Sequence, residues 1–198
     1  MRIELFYDVG STNSYFALHL LDRLANRYGA ELIYQPFNLG YVFRHHNYVL
    51  MDEPPAKLKN RRRDLMRWAE RHELPFRMPE QFPIKTSPAL RGALAARRLG
   101  RERNYLFEVF ARYWERNDAS IADYPGVIAA AQAAGCDGAS FEELVRGDGI
   151  GDELRAATQS ALDREIFGAP SIVIGDELFW GKDRMEFVED ELRRLTAD

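Results

Sequence analysis

Phe167-Gly168-Ala169-Pro170-Ser171-Ile172-Val173-Ile174-Gly175-Asp176-Glu177-Leu178-Phe179-Trp180-Gly181-Lys182-Asp183-Arg184 reads as a proline-led hairpin that runs into a helix. The run Ser171 to Ile174 is rich in β-branched residues, Gly175-Asp176 is a turn dipeptide, and Leu178 to Trp180 reads as a second short strand. Pro170 cannot continue a helix, and an Ala-Pro bond directly before a strand is a candidate cis peptide. Its missing N–H removes a ladder donor and leaves backbone groups of Ala169 free for another partner. The segment thus reads as a candidate ligand clamp as well as a hairpin. The final helix is expected over 183–195, with Asp183 and Glu186 at capping-box spacing, although the defined box begins with Ser or Thr.

The other end of the chain supplies the partner for that hairpin. Residues 2–7 suit a buried strand, and residues 31–36 a second one. Between them, residues 14–28 place Tyr15, Leu18, Leu21, Leu24 and Ala25 at helical spacing before Gly29. A strand, a helix and a strand in so short a stretch form a βαβ unit, so the first two strands are expected to be parallel. From about 54 to 165 helical patterns dominate, over 55–72, 86–99, 101–116, 124–134, 140–146 and 150–166. The expected fold class is α/β, a βαβ…ββα sheet domain with a large helical insertion. Residues 1–53 and 150–198 are assigned to the sheet domain and 54–149 to the inserted helical domain.

Composition narrows the function classes. The formal net charge of −4 over 198 residues argues against nucleic acid or an anionic membrane as partner. No apolar run approaches the ~20 residues that span a bilayer, and the N-terminus reads as a strand rather than a leader, so a cytoplasmic protein is expected. The one cysteine, Cys136, can form neither an internal disulfide nor a Cys-x-x-Cys pair. It lies at a helix end and reads as a bystander. The four histidines lack metal-ligand spacing, and no metal is expected. His45-His46 reads as a loop pair. Arg61-Arg62-Arg63 reads as a solvated helix face, with a phosphate or carboxylate site as the alternative.

Asp8-Val9-Gly10-Ser11-Thr12-Asn13-Ser14-Tyr15 joins the first strand to the first helix. A helix N-terminus gathers unpaired N–H groups and partial positive charge, so it stabilises a carboxylate, thiolate or oxyanion. Ser11 offers a hydroxyl there. Ser11, Asn13 or Ser14 equally fits the role of N-cap, and the two readings are compatible. Gly181 and Lys182 place N–H groups before the last helix, and Asp183 offers a carboxylate. A zwitterionic amino-acid group needs both features.

Ser11-Thr12-Asn13-Ser14 stands where a redox Cys-x-x-Cys stands in DsbA-like thioredoxin-fold proteins, and Ala169-Pro170 matches their cis-proline. The chain more closely resembles the 2-hydroxychromene-2-carboxylate isomerases and kappa-class glutathione transferases. The resemblance is carried by Phe6-Tyr7-Asp8 with Ser11 and Ser14-Tyr15, Pro36-Phe37, Val42-Phe43, and Pro55-Ala56-Lys57 leading to Asp64-Leu65. It continues through Phe82-Pro83, Thr86 and Leu90-Arg91 to Phe167–Pro170 and Glu177–Arg184, nearly the full length.

The resemblance implies a thioredoxin-like fold and glutathione as cofactor, with Ser11 as the catalytic residue that hydrogen-bonds its sulfur. Ala169, beside Pro170, would pair with the cysteinyl backbone. Lys182 and Asp183 would hold the γ-glutamyl end, Lys57 the glycyl carboxylate, and Asn47 is a further cofactor-binding position. The implied reaction is cis–trans isomerisation of a small aromatic carboxylate through reversible addition of the thiolate. The implied assembly is a homodimer. Departures fall around the acceptor. Thr12-Asn13 replaces the usual Pro-aromatic pair, the loop after Phe43 is one residue short, and Lys85 replaces a common Asn. Lys85 is the candidate to bind a substrate carboxylate or steady an enolate, with a plain exposed lysine as the alternative. Glutathione conjugation, as in the kappa class, and a non-catalytic thioredoxin-fold binding module are the alternatives.

Overall fold

The computed structural model describes residues 1–49 and 53–197. Its elements are β1 (Arg2–Tyr7), α1 (Thr12–Tyr28), β2 (Glu31–Pro36), α2 (Leu39–His45), α3 (Pro55–His72), α4 (Ser87–Arg98) and α5 (Glu102–Trp114), then a 3₁₀ turn, Ala119–Ala122. There follow α6 (Tyr124–Ala133), α7 (Gly138–Arg146), α8 (Asp148–Asp163), β3 (Ser171–Ile174), β4 (Glu177–Trp180), a 3₁₀ turn Lys182–Arg184 and α9 (Met185–Ala197). The sheet order is β2-β1-β3-β4. β1 runs parallel to β2, with Leu5 opposite Tyr34, and antiparallel to β3, with Leu5 opposite Ile172. The β3–β4 hairpin closes through Gly175-Asp176, Ile174 facing Glu177. This is the thioredoxin-like α/β fold with a helical block inserted between β2 and β3.

Period-two alternation sets the two faces of the sheet. Ile3, Leu5 and Tyr7 of β1 and Ile172 and Ile174 of β3 join the main core with α1, α9 and the helical block. Phe6 and Val173 turn to the other face and pack with Phe37, Val42, Ala161 and Ile166. On that face Arg164 caps the layer, its guanidinium 4.7 Å from the centre of the Phe6 ring and 2.8 Å from Glu4. The main core runs without interruption from the sheet into the helical block. α4 is buried along most of its length and packs on α5, α6, α7 and α8.

The block is stitched to the loop after β1. The Trp114 indole N–H donates to the Val9 carbonyl at 2.8 Å, and the Trp114 ring is fully buried. Such burial contributes roughly 1.5–3 kcal/mol for one large side chain.

Two elements differ from the sequence reading. α2 occupies a stretch read as loop, so His45 is its last residue and His46 its C-cap. Its start signal is Asn38, whose side chain accepts from the Tyr41 N–H at 2.9 Å. The approach to α9 is a 3₁₀ turn with no side-chain cap, and the Asp183 carboxylate instead meets Arg184 at 2.7 Å. Ala169–Pro170 is cis, as is Phe82–Pro83. Among the described residues, no helix is long and apolar enough to cross a membrane, and no cluster of His, Cys, Asp and Glu is placed to hold a metal.

Candidate functional site

Two cavities of about 560 and 520 Å³ meet beside the N-terminus of α1. They share Asn13, Lys57, Arg61, Leu65 and Trp180, so they form one continuous cleft. The sheet supplies one wall through Ala169 and Trp180, and α3 supplies the other. Ser11 and Ala169 line the first cavity, and Lys182 and Asp183 the second.

Ser11 has two roles at once. Its Oγ accepts from the Ser14 N–H at 3.2 Å, which makes Ser11 the N-cap of α1. The same hydroxyl donates to the Ala169 carbonyl at 2.9 Å, joining residues 158 positions apart. No acidic residue lies in the first turn of α1, so the partial positive charge of a 17-residue helix is uncompensated there.

Asp8 fixes the floor beneath Ser11. Its backbone carbonyl accepts from the Ser11 N–H at 3.0 Å. Its carboxylate is 3% exposed and accepts from Gly10 N–H at 2.8 Å, Leu39 N–H at 3.0 Å and the Thr86 hydroxyl at 3.2 Å. One side chain therefore ties together the β1–α1 loop, the start of α2 and the start of α4. Burial pushes its carboxyl above the ordinary 3.8, against the opposing pull of the Gly10 and Leu39 hydrogen bonds. Gly10 is required by close approach, since a Cβ there would lie 2.9 Å from the Thr86 methyl.

The hairpin wall is set with equal tightness. Ser171 Oγ donates to the Gly168 carbonyl at 2.8 Å, and Gly181 N–H donates to the Pro170 carbonyl at 3.0 Å. Trp180 is 52% exposed and tilts against Phe167 with ring centres 5.3 Å apart. The Trp180 indole crosses Gly168 so closely that a Cβ there would stand 2.5 Å from Nε1.

The remaining expected positions fall as follows. Lys57 lines both cavities, its ammonium 3.0 Å from Glu53. Arg61 also pairs with Glu53, and the Lys57 hydrogen bond, with Arg61 beside it, holds the Glu53 carboxyl below its usual range. The Lys182 side chain is buried, 3.5 Å from Asp64 and 4.8 Å from the centre of the Trp68 ring. Asp183 is exposed beside Arg184.

Asn47 is exposed outside the cavity lining. It has a φ of 53° and closes α2 with an N–H donated to the Arg44 carbonyl at 3.2 Å. Its neighbours His46 and Tyr48 line the cavity instead. Lys85 is exposed and also outside the lining, whereas Phe82 of the same loop is within it. The arginine run is not wholly a solvated face: Arg61 and Arg62 line the first cavity. Cys136 is buried outside the cleft, and burial pushes its thiol up.

Sequence reasoning missed Glu53, Tyr48 and Met78 as cavity residues. For Glu53 a signal existed, the i,i+4 spacing to Lys57.

The model of the DSBA-like thioredoxin domain family matches residues 2–193. The 2-hydroxychromene-2-carboxylate isomerase of Sphingobium xenophagum is 30% identical over 192 residues, covering 96% of this chain and 97% of the relative. Glutathione S-transferase kappa 1 of Caenorhabditis elegans is 25% identical over 210 residues, covering 98% and 91%. A solved 2-hydroxychromene-2-carboxylate isomerase structure superposes with a TM-score of 0.88 at 26% identity, covering 99% of this chain and 96% of that one.

Proposed function

The chain belongs to the DsbA-like thioredoxin domain family, and on that premise we propose that it is a glutathione-dependent isomerase of an aromatic carboxylate, of the 2-hydroxychromene-2-carboxylate type. The observation that carries the reading is the Ser11 hydroxyl at an uncompensated helix N-terminus, hydrogen-bonded to the Ala169 carbonyl in the cleft lining. A chain with one buried cysteine has no dithiol of its own to place there.

The residues fit such a cofactor. The Ala169 N–H meets no backbone carbonyl among the described residues, and its carbonyl is held only by the Ser11 hydroxyl. Both are the groups an extended cysteinyl backbone would pair with. Asp183, exposed at the far end of the cleft, would receive the γ-glutamyl ammonium beside the turn at Lys182. Lys57 would take the glycyl carboxylate, exchanging it for Glu53.

Bound glutathione would supply a thiolate that adds reversibly to a conjugated carbon and turns a double bond into a rotatable single bond. Ser11 serves that chemistry by turning its O–H from the Ala169 carbonyl toward the sulfur anion. The N-terminus of α1 favours the same negative charge. The walls orient the acceptor.

The test is calorimetric titration with glutathione together with ultraviolet monitoring of the chromene carboxylate. Wild type is expected to bind and to turn over the acid without consuming thiol. Ser11→Ala is expected to lower kcat by about 10²-fold, the effect of removing one oxyanion donor. No binding at millimolar glutathione, or full turnover by Ser11→Ala, would defeat the proposal. Consumption of thiol with an electrophile in place of isomerisation would favour conjugation, the activity in the name of the kappa relative.

A further inference from the structure

Three cations on α3, Lys57, Arg61 and Arg62, line the first cavity. Two are already matched. Glu53, its side chain 10% exposed, bridges the Lys57 ammonium and the Arg61 guanidinium, so that trio carries a single net positive charge. Arg62 lies about 100° round the helix from Arg61 and makes no hydrogen bond or ion pair among the described residues. Lys57 and Arg61 line both cavities, whereas Arg62 lines the first alone, away from the Lys182–Asp183 end.

The surroundings of Arg62 define what it would bind. Phe43, Tyr48, Met78 and Phe82 give that cavity apolar and aromatic walls, and Phe43 and Tyr48 lie with ring centres 4.8 Å apart. A cavity with these walls and a guanidinium that has no partner among the described residues suits a planar aromatic acid, because a guanidinium fork donates to both oxygens of a carboxylate. Lys85, the cation the sequence offered for this task, is outside the cavity.

We infer that Arg62 is the receptor for the carboxylate of the aromatic substrate and so selects acids over neutral electrophiles. This assignment rests on the proposed isomerase function. It adds a residue that binds the second substrate rather than the cofactor. Arg62 is exposed and has no partner among the described residues, so its replacement leaves the fold intact.

The test compares wild type, Arg62→Ala and Arg62→Lys in three measurements. These are glutathione affinity by calorimetry, direct binding of the chromene carboxylate with and without glutathione, and kcat and KM for the acid and its methyl ester. Arg62→Ala is expected to weaken acid binding and raise its KM by roughly 10- to 100-fold, the scale of a lost charge-assisted contact. Its kcat should stay within about threefold and its glutathione affinity within about twofold of wild type. Arg62→Lys should recover part of the loss, and the ester should not distinguish the variants. An unchanged acid affinity, an equal loss for the ester, or a loss of glutathione affinity would each overturn the assignment. Failure of the glutathione reading shows separately, as wild type that ignores glutathione, while the direct acid-binding comparison still reports on Arg62.

Discussion

Replacing Asp8 by Ala removes the one acceptor shared by three converging segments. The Gly10 and Leu39 N–H groups, both partly buried, lose partners at 2.8 and 3.0 Å, while the Thr86 hydroxyl can rotate to another acceptor. A buried N–H left unpaired costs about 1–3 kcal/mol. Relief from keeping a carboxylate dry offsets part of this, so a net loss of about 2–4 kcal/mol is expected. That is a large share of a total stability of ~5–15 kcal/mol. The assay is urea unfolding, with the midpoint falling and the slope unchanged. Asp8→Asn keeps a carbonyl for Leu39 and Thr86 and turns an amide N–H₂ toward Gly10, so it should lose less than Asp8→Ala.

The pH dependence gives a second reading of the same group. The native carboxyl lies above the unfolded value of 3.8. Its contribution is therefore complete below pH 3.8 and is lost as pH rises through the native pKa. The gap between wild type and Asp8→Asn should narrow over that rise. A fully stable Asp8→Ala, or a gap that widens with pH, would refute this account of the floor.

Two further outcomes follow from groups near α1. The Ser14 hydroxyl is fully buried and has no hydrogen-bond partner among the described residues, so Ser14→Ala should be neutral or stabilising by up to about 1 kcal/mol. Calorimetric melting would show a rise of about 2–4 °C at most, and a fall beyond that size would reveal a missed partner. Burial, with Arg23 nearby, lowers the His19 pKa to about 4, so its 3.9 Å approach to Glu115 is not an ion pair at neutral pH. In the unfolded chain His19 takes its proton near 6.5, so its contribution is present above pH 6.5 and lost as pH falls toward 4. An NMR titration that placed this ring near 6.5, or an acid unfolding curve unaltered by His19→Gln, would contradict the burial argument.

Local chemistry explains what was legible. A β-branched run, a Gly-Asp turn and a proline are short-range signals, and they located β3, β4 and the cis bond at Ala169. Strict apolar spacing located α1, α3 and the helices of the block. α2 was missed because seven residues containing Gly40 carry too little periodicity. The cleft itself is a long-range object. Spacing along the chain says that Lys85 and Arg62 are both cationic, but not that one helix face turns into the cavity while a neighbouring loop turns away. Asp8 was quoted as part of a motif, yet its three donors come from residues 10, 39 and 86, a convergence that no window along the chain contains.

One of the two inner strands of the sheet, β1, is made from residues 2–7, and its antiparallel neighbour from residues 171–174. During synthesis β1 must therefore wait beside β2 and α1 until residues 171–174 have left the ribosome. Pairing across so wide an interval is the slow, entropically costly kind. The contact between Ser11 and the Ala169 carbonyl closes only then. Ligand-binding competence would thus report the emergence of β3, and a nascent chain halted before it should carry no cleft.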